Sequence, residues 1–427
     1  LRRDFIMKKN IKDIIVIGFA LFAMFFGAGN LIFPPFLGHE LGNKYIIGII
    51  GFVCTGVGVP LLSILAVTKE HETFENMASK IGKKFALIFS TILFIAIGPM
   101  LAIPRTAAST YELTISPIFP NISALTWMII YFVINLFFVL KKSSVIDTIG
   151  KYLTPLLLVI LAFIIVKGIL FPIGEITNTN YTSALSSSLI EGYQTMDALA
   201  GLLFASMIAN SIIEKGYPKK EVFSMTIKSS ILAIAGLAFV YGGLMFLGAQ
   251  TTASFNGELT KTILLLFISK SILGDFGTIV IGIAVGLACL TTSIGLLSAG
   301  AEFFEEISNG KLTYKFNAVV ISIISVLIGQ LGIDKIVSLS GPILNILYPV
   351  AITLIVTSLL NKYLNNINAV RIGVYTSLIF SILSLIPIID LSFIPLANDG
   401  FAWLIPTIVV TLICQFILPK NSTNIDN

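Results

Sequence analysis

The sequence predicts an all-α integral membrane protein of about twelve transmembrane helices, built as two inverted five-helix repeats with discontinuous helices 1 and 6. Three observations lead to this prediction. Of the 427 residues, 56% are hydrophobic and 11% are charged, whereas soluble domains carry roughly 25% charged residues. Apolar windows of about 20 residues, the length that crosses a bilayer core, recur along the whole chain. Polar segments that contain glycine interrupt two of these windows.

The apolar windows define a single transmembrane domain over residues 1–427. The predicted spans are 13–38, 44–68, 84–109, 122–140, 145–171, 184–213, 221–250, 276–305, 316–332, 336–361, 370–389 and 399–418. The stretch 260–273 is short and amphipathic, so we expect it to lie outside the bilayer. Because the interrupted spans are five apart and five is odd, residues 13–171 are predicted to form one repeat and residues 184–361 an inverted copy. Residues 370–418 supply two additional helices.

Basic residues are distributed unevenly between the two sets of span ends. Short loops rich in Lys and Arg mark the cytoplasmic side, and one set of ends holds most of these residues, beginning with Arg2, Arg3 and Lys8. The other set holds Lys44, Arg105, Lys167, Lys261, Lys270 and Lys335. This predicts a multi-pass protein with both termini in the cytoplasm. The topology accounts for the net charge of +5, and no nucleic-acid partner is expected because a basic face on a soluble fold is absent.

The first span is interrupted by Gly27-Ala28-Gly29-Asn30 and, further on, by Pro34-Pro35. Backbone that is freed from helical bonding inside a bilayer is tolerated only where protein or a wet cavity satisfies it, so the interruption predicts a polar site at mid-membrane. Such a site is typical of a secondary transporter. The alternative for the two glycines is close helix packing, which is common in membrane proteins.

The second interruption lies five spans later, around Gly192, in a segment that carries Glu191 and Asp197. A carboxylate that faces lipid costs several kcal/mol, so one or both should face protein or water, and we treat both as gating candidates. Breaks in corresponding spans of two repeats are the general indication of a transporter binding site.

A pair of broken helices is chemically suited to a zwitterion. Free N–H groups at a half-helix N-terminus bind a carboxylate with help from the helix dipole, whereas unwound carbonyls bind cations. We therefore expect the amides near Ala28, Gly29 and Asn30 to bind a substrate carboxylate. Its ammonium is expected at the carbonyls near Tyr193, Gln194 and Thr195. Glycine at positions 27 and 29 would allow the close backbone approach.

A third polar cluster, Thr291-Thr292-Ser293, lies in the eighth span. A single hydroxyl in a helix commonly bonds back to a carbonyl one turn earlier, which is the structural alternative. Three hydroxyls in succession favour a cation site, because Na⁺ is a hard ion that prefers oxygen ligands.

Four segments resemble the bacterial branched-chain amino acid:cation symporters. They are 18–38 with its core Phe-Gly-Ala-Gly-Asn-Leu-Ile-Phe-Pro-Pro, 97–106, 191–198 and 290–296, in the family's order and spread over nearly the whole chain. The resemblance implies a LeuT-like fold of the amino acid/polyamine/cation superfamily in a bacterial cytoplasmic membrane. It also implies import of leucine, isoleucine or valine coupled to Na⁺, with no further cofactor.

In relatives of that fold, a cation lies between carbonyls of the first span and hydroxyls of the eighth. The resemblance places the carbonyls of Ala23 and Phe26 opposite Thr291, Thr292 or Ser293. Some relatives hold a second Na⁺ through an Asn side chain just after the first break, a position that Asn30 matches, with the Thr195 hydroxyl as a further ligand. The first and sixth spans are expected to rock against a scaffold that includes the third and eighth.

Several alternatives remain open at this stage. Arg105, near the outer end of the third span, fits either an extracellular gate that pairs with a carboxylate or an interfacial anchor. Lys151 in the fifth span would favour proton coupling if its amine reached the hydroxyl cluster, although snorkelling to the interface is its ordinary role. A proton-coupled or broader-specificity transporter of the same fold is thus the closer rival. A membrane-embedded enzyme is remote, because no catalytic constellation is visible and no enzyme is predicted.

Overall fold

The computed structural model describes residues 2–69, 73–141 and 154–419, and the regular structure in these ranges is helical. The helices are α1 (Arg2–Phe25), α2 (Ala28–Leu41), α3 (45–69), α4 (Phe74–Ser79), α5 (Lys83–Ile118), α6 (Ala124–Val139), α7 (Thr154–Leu170), α8 (Ala184–Tyr193), α9 (Asp197–Glu214), α10 (Lys219–Ala249), α11 (Lys261–Leu273), α12 (Gly277–Ile307), α13 (Tyr314–Gly329), α14 (Ile333–Leu359), α15 (Ile367–Leu383) and α16 (Leu404–Ile417). Single 3-10 turns, Gly42–Lys44 and Gly274–Phe276, join α2 to α3 and α11 to α12.

Each predicted span corresponds to one helix or one pair of half-helices in this structure. The first span is α1 with α2, and the sixth is α8 with α9. The beginning of the predicted fifth span, with Lys151, lies outside the described residues. The stretch 260–273 forms α11, which Thr260 caps by accepting the Ile263 N–H, and α11 packs against α2 and α12.

The break in the first span is confined to Phe26 and Gly27, because α2 begins at Ala28. Pro34 and Pro35 were expected to interrupt the span again, but both lie inside α2, which continues to Leu41. A proline removes one helical N–H and crowds the preceding turn. Here α2 is almost entirely buried, so packing against neighbouring helices maintains the helix despite the two prolines.

The break in the sixth span lies at Gln194, Thr195 and Met196, slightly after the predicted centre at Gly192. Gly192 is in the last turn of α8, where a Cβ would collide with the Thr55 side chain of α3, so this glycine serves helix packing. Met196 adopts a left-handed conformation with φ of 65° and lets the chain enter α9 in a new direction. The sixth span, like the first, is therefore a pair of half-helices.

Helix packing divides the spans into two groups. The half-helices of the first span pack most extensively against α10, and those of the sixth span pack against α3. A second group consists of α5, α12, α13 and α6, which pack against one another. The first and sixth spans therefore meet at the boundary between the groups, where their breaks face α5 and α12.

The contact between α2 and α10 is a direct backbone contact. A Cβ on Gly38 would collide with the Met245 carbonyl, and a Cβ on Gly248 would collide with the Pro35 carbonyl. Small residues let membrane helices approach this closely, and the attraction between them is then mainly van der Waals packing. The second half-helix of the first span is thereby held against the seventh span.

We expect Gly248→Ala to destabilise the protein by about 1–3 kcal/mol, because the new methyl group has to displace backbone rather than a flexible side chain. Thermal unfolding of the purified protein in detergent would show this as a lower melting temperature. Gly286→Ala in α12 is the matched control, since nothing lies within 4 Å of the position of its Cβ. Equal melting temperatures for the two variants would contradict the close backbone contact.

Candidate functional site between the broken helices

The two helix breaks line a common small cavity with residues of the third and eighth spans. Its lining residues are Met24, Phe25, Gly27, Ala28, Asn30, Ile97, Ala102, Arg105, Thr106, Thr195, Met196, Asp197, Ala200, Thr292 and Leu296. The cavity volume is about 10 Å³, which is near the minimum for a single water molecule. A larger ligand therefore requires the surrounding helices to move apart.

The N-terminal turn of α2 forms one wall of this cavity. Asn30, three residues into the half-helix, accepts the Gly27 N–H through its Oδ1 at 3.2 Å and so satisfies the first amide of the break. The next amides, of Ala28, Gly29 and Asn30, belong to the first turn, where helical N–H groups have no intrahelical acceptor. All three residues are buried. This helix end thus presents buried first-turn amides, the groups for which anion binding is predicted.

Arg105 lies opposite this helix end. Its side chain is 3% exposed, Nη1 donates to the Gln194 carbonyl at 2.7 Å, and Nη2 donates to the Thr195 carbonyl at 3.4 Å. The guanidinium is 5.5 Å from the centre of the Phe33 ring. A Cβ on Gly29 would lie 2.8 Å from Nη2, so the guanidinium is directly beside the first turn of α2.

This position corrects the sequence prediction for Arg105. The third span was expected to end near residue 109, but α5 continues to Ile118 through two wide turns of π-helix, Ala96–Ala102 and Tyr111–Ile115. Arg105 therefore lies well inside the helix rather than near its outer end. It is not an interfacial anchor, and its hydrogen bonds go to carbonyls rather than to a carboxylate. These are the carbonyls at which a substrate ammonium was expected.

Asp197 is the first residue of α9 and joins the first, sixth and seventh spans. Its Oδ2 accepts Asn30 Nδ2 at 2.5 Å and the Tyr241 hydroxyl at 3.2 Å. Asn30 Nδ2 also contacts the Tyr241 hydroxyl directly. Asp197 is 3% exposed. The side chain therefore faces protein, as expected for an intramembrane carboxylate.

Sequence reasoning missed Tyr241, because a lone tyrosine in an apolar seventh span is usually a packing residue. The glycines that follow it, Gly242 and Gly243, are a weak signal of close approach. Only the tertiary structure brings its hydroxyl to Asn30 and Asp197.

The remaining candidates of the sixth span, Glu191, Tyr193 and Gln194, lie at or just after the end of α8 and are not among the cavity-lining residues. The Tyr193 ring stacks on Tyr348 of α14 with centroids 4.2 Å apart, and Gln194 Oε1 accepts the Ser340 hydroxyl at 2.8 Å. Glu191 is half-buried. Lys261 of α11 lies 4.1 Å from the centre of the Phe36 ring. The contacts of Tyr193 and Gln194 link the end of α8 to α14.

The hydroxyl cluster of α12 meets the end of α1. The Ala23 carbonyl accepts the Thr291 hydroxyl at 3.0 Å and the Thr292 hydroxyl at 3.1 Å. Thr291 Oγ1 also lies 3.0 Å from the Ala288 carbonyl one turn earlier, which is the alternative bonding for a helical threonine. A Cβ on Gly27 would lie 3.1 Å from Thr292 Oγ1, so the first break itself touches α12.

Two other predicted ligands of this cluster have different surroundings. Ser293 is buried, and within the described ranges its hydroxyl has no hydrogen-bond partner. Phe26 stacks on Phe22 and on Tyr241 through its ring, and its carbonyl belongs to the break. A hydroxyl has one proton and two lone pairs, so Thr291 and Thr292 are able to turn lone pairs toward a cation.

Solved structures with this helix arrangement show the fold of the protein. The closed structure of Mhp1, a nucleobase-cation-symport-1 family transporter with bromovinylhydantoin bound, matches with a TM-score of 0.63 at 11% identity over 94% of this chain and 91% of Mhp1. MhsT in complex with L-phenylalanine matches with a TM-score of 0.55 at 17% identity over 93% of this chain and 98% of MhsT. A Na⁺-coupled sialic acid symporter matches with a TM-score of 0.60 at 14% identity, over 95% of this chain and 90% of that symporter. The protein therefore has the LeuT fold.

The sequence itself gives the family. The branched-chain amino acid transport protein family matches residues 10–421, and the chain belongs to this family. The branched-chain amino acid permease BraB of Bacillus subtilis is 36% identical over 97% of this chain and 98% of its own length. A putative branched-chain amino acid carrier of Staphylococcus saprophyticus is 36% identical over 95% of this chain and 96% of its own length. The protein is a membrane transporter and not an enzyme.

We expect Gly29→Val to abolish leucine uptake while the protein still accumulates in the membrane. The new Cβ would lie 2.8 Å from Arg105 Nη2 and 2.9 Å from the Phe33 ring, and its two methyl groups would cover the first amides of α2. Radiolabelled leucine uptake into proteoliposomes measures the loss, with Gly286→Val as a control that has open space at the Cβ position. Near-normal uptake by Gly29→Val would mean that this glycine serves packing only.

Proposed function

We propose that this protein imports leucine, isoleucine and valine together with Na⁺ by alternating access across a bacterial cytoplasmic membrane, with both termini in the cytoplasm. The observation that carries the Na⁺ part of the proposal is the convergence of two hydroxyls on one carbonyl. Thr291 and Thr292 of α12 both bond the Ala23 carbonyl at the end of α1. Neutral oxygens in a buried position make a cage that suits a hard monovalent cation and that is weak enough to release it.

Binding of Na⁺ at this cluster would couple the ion to the substrate. The ion would take lone pairs from Thr291 and Thr292 and from the Ala23 carbonyl, with the Phe26 carbonyl and the Ser293 hydroxyl as further oxygens nearby in sequence. Gly27 of the break lies against Thr292, so an ion that draws α1 toward α12 also positions the amides of Ala28 to Asn30. Those amides form the carboxylate end of the substrate site.

The cavity walls suit a branched aliphatic side chain. Apolar lining comes from the third, sixth and eighth spans through Ile97, Ala102, Ala200 and Leu296. Burial of such a side chain is favourable by about 1.5–3 kcal/mol. Because the present cavity has a volume of about 10 Å³, the substrate enters only after the first and sixth spans move away from α5 and α12.

Contacts on the outer side of the cavity identify parts that must separate during this motion. Gln194 is bonded to Ser340 of α14, and Tyr193 stacks on Tyr348 of the same helix. Further out, Glu112 of α5 accepts the Thr262 hydroxyl of α11 at 3.2 Å and the Ile333 N–H of α14 at 2.9 Å. Opening toward the outside would break the contacts of α8 and α11 while α5 and α12 stay together.

A proton-coupled transporter of the same fold is the second candidate. Asp197 favours it, because a buried carboxylate at mid-membrane is a chemically plausible proton carrier. The lysine that would mark one form of proton coupling, Lys151, lies outside the described residues.

Uptake experiments under different ion gradients, with the purified protein in proteoliposomes, distinguish the two candidate functions. We expect an inward Na⁺ gradient to drive accumulation of radiolabelled leucine, and Li⁺ or a proton gradient alone to drive little. Accumulation with a proton gradient in Na⁺-free buffer would instead assign the coupling to a proton. Competition by isoleucine and valine, with alanine as the small-substrate comparison, measures the specificity.

We expect Thr292→Ala to raise the Na⁺ concentration for half-maximal leucine uptake by about tenfold, because the loss of one oxygen ligand is worth about 1.4 kcal/mol. Sodium titration of leucine uptake measures this directly. Ser293→Ala tests the register of the cluster, and we expect a smaller shift because its hydroxyl is not bonded to Ala23. Unchanged sodium dependence in both Thr291→Ala and Thr292→Ala would remove the assignment of this site.

A further inference from the structure

Two side chains of opposite charge, Arg105 and Asp197, line the same buried cavity without bonding to each other. Each is 3% exposed, and among the residues that the structure describes neither has an ion-pair partner. Arg105 donates to two carbonyls of the sixth break, whereas Asp197 accepts from Asn30 and Tyr241. The cavity thus contains a guanidinium and a carboxyl group, each held by neutral partners.

Such an arrangement is energetically incomplete. A buried charge is stabilised well only when it is both paired and hydrogen-bonded. Within the described ranges, Arg105 Nε is buried and has no hydrogen-bond partner. Its Nη2 atom lies beside the first turn of α2, where helical amides and the positive end of the helix dipole also face the cavity. The guanidinium and this helix end are complementary to the same anion.

We propose that Arg105 binds the α-carboxylate of the substrate jointly with the first amides of α2, and that Asp197 binds the α-ammonium. This inference rests on the proposed transport of amino acids and names the charged groups that recognise the substrate. A carboxylate bound to a guanidinium through charge-assisted hydrogen bonds gains geometric specificity as well as affinity. Arg105 is in α5 and Asp197 is in α9, so a zwitterion bridges the third and sixth spans.

The same geometry assigns the substrate ammonium to Asp197 rather than to the carbonyls of the sixth break, where the sequence predicted it. The Gln194 and Thr195 carbonyls already accept the guanidinium, and a second cation at those oxygens would meet like-charge repulsion. Among the residues that line the cavity, Asp197 is the acidic one. Asn30 and Tyr241 hold its Oδ2, which orients the carboxylate as a preorganised acceptor.

Three ligands test the charge assignment on the wild-type protein. Leucine carries both charges, leucinol lacks the carboxylate, and 4-methylpentanoate lacks the ammonium. We expect each analogue to bind about 10- to 100-fold more weakly than leucine, the range for loss of a charge-assisted interaction. Thermal-shift titrations of the full-length protein in saturating Na⁺ give the three affinities. Equal affinities for leucine and either analogue would overturn the corresponding half of the proposal, even if every variant failed to fold.

Two variants connect each ligand charge to one side chain. Arg105→Gln should weaken leucine and 4-methylpentanoate about 10- to 100-fold and leave leucinol nearly unchanged. Asp197→Asn should weaken leucine and leucinol and leave 4-methylpentanoate nearly unchanged. Arg105→Lys keeps the charge without the bidentate geometry, so we expect partial recovery of leucine affinity.

Matched controls lie outside the cavity. Arg371→Gln removes a guanidinium that also donates to a carbonyl, that of Lys80 at 3.0 Å, and Asp399→Asn removes a carboxylate that also accepts a hydroxyl, that of Ser186 at 2.8 Å. Neither should alter any of the three affinities.

Other outcomes reject the inference. An equal loss of leucine and leucinol affinity in Arg105→Gln would mean that Arg105 only stabilises the sixth break through its hydrogen bonds. A higher Na⁺ requirement in Asp197→Asn, with the pattern of the three ligands unchanged, would make Asp197 a cation ligand instead. If the wild-type protein takes up leucine but binds leucine and its two analogues equally well, the inference about Arg105 and Asp197 is wrong and the proposed function stands. If the wild-type protein takes up no leucine, the proposed function is wrong as well.

Discussion

The structure depends on how backbone groups freed at two helix breaks are satisfied without water. At the first break the Gly27 N–H is accepted by Asn30, and the Ala23 carbonyl before it accepts Thr291 and Thr292. At the sixth break, two carbonyls accept Arg105. Because an unsatisfied backbone group inside a bilayer costs several kcal/mol, these side chains are what allow the helices to be broken at all.

Most of these satisfying groups come from the other group of helices. Arg105 belongs to α5 and the threonines belong to α12, whereas the groups they bond belong to the first and sixth spans. The bonds that stabilise the breaks are therefore also bonds that join the two groups of helices. A ligand that makes the same hydrogen bonds, or that pairs with the charged groups, would favour one arrangement of the two helix groups over the other. It would do so only if it binds one arrangement more tightly than the other.

The polar side chains at the centre of this site have a structural role. Arg105 replaces water at the carbonyls of the sixth break, and Asp197 joins Asn30 to Tyr241 across three spans. Both groups are held by neutral partners rather than by an opposite charge.

Local sequence determined the positions of the spans, the two breaks and the hydroxyl cluster. The length of an apolar stretch identifies a membrane helix from the sequence alone. The Gly-Ala-Gly-Asn segment and the three consecutive hydroxyl residues interrupt such stretches, and they too can be recognised without the tertiary structure. The hydrogen bonds between spans across the site could not be recognised from the sequence in this way. Arg105 was placed near an interface because the π-helical turns that lengthen α5 leave no pattern in hydropathy.

Tertiary structure alone decided which groups meet. Gly192 serves packing against Thr55, Pro34 and Pro35 are tolerated within a buried helix, and Tyr241 reaches Asn30 and Asp197. Each outcome depends on a surface contributed by a distant part of the chain. Sequence by itself therefore determined which two spans are broken and which polar residues flank the breaks. Long-range helix packing decided which side chains fill it, because hydrogen bonds between spans depend on distances that no local pattern encodes.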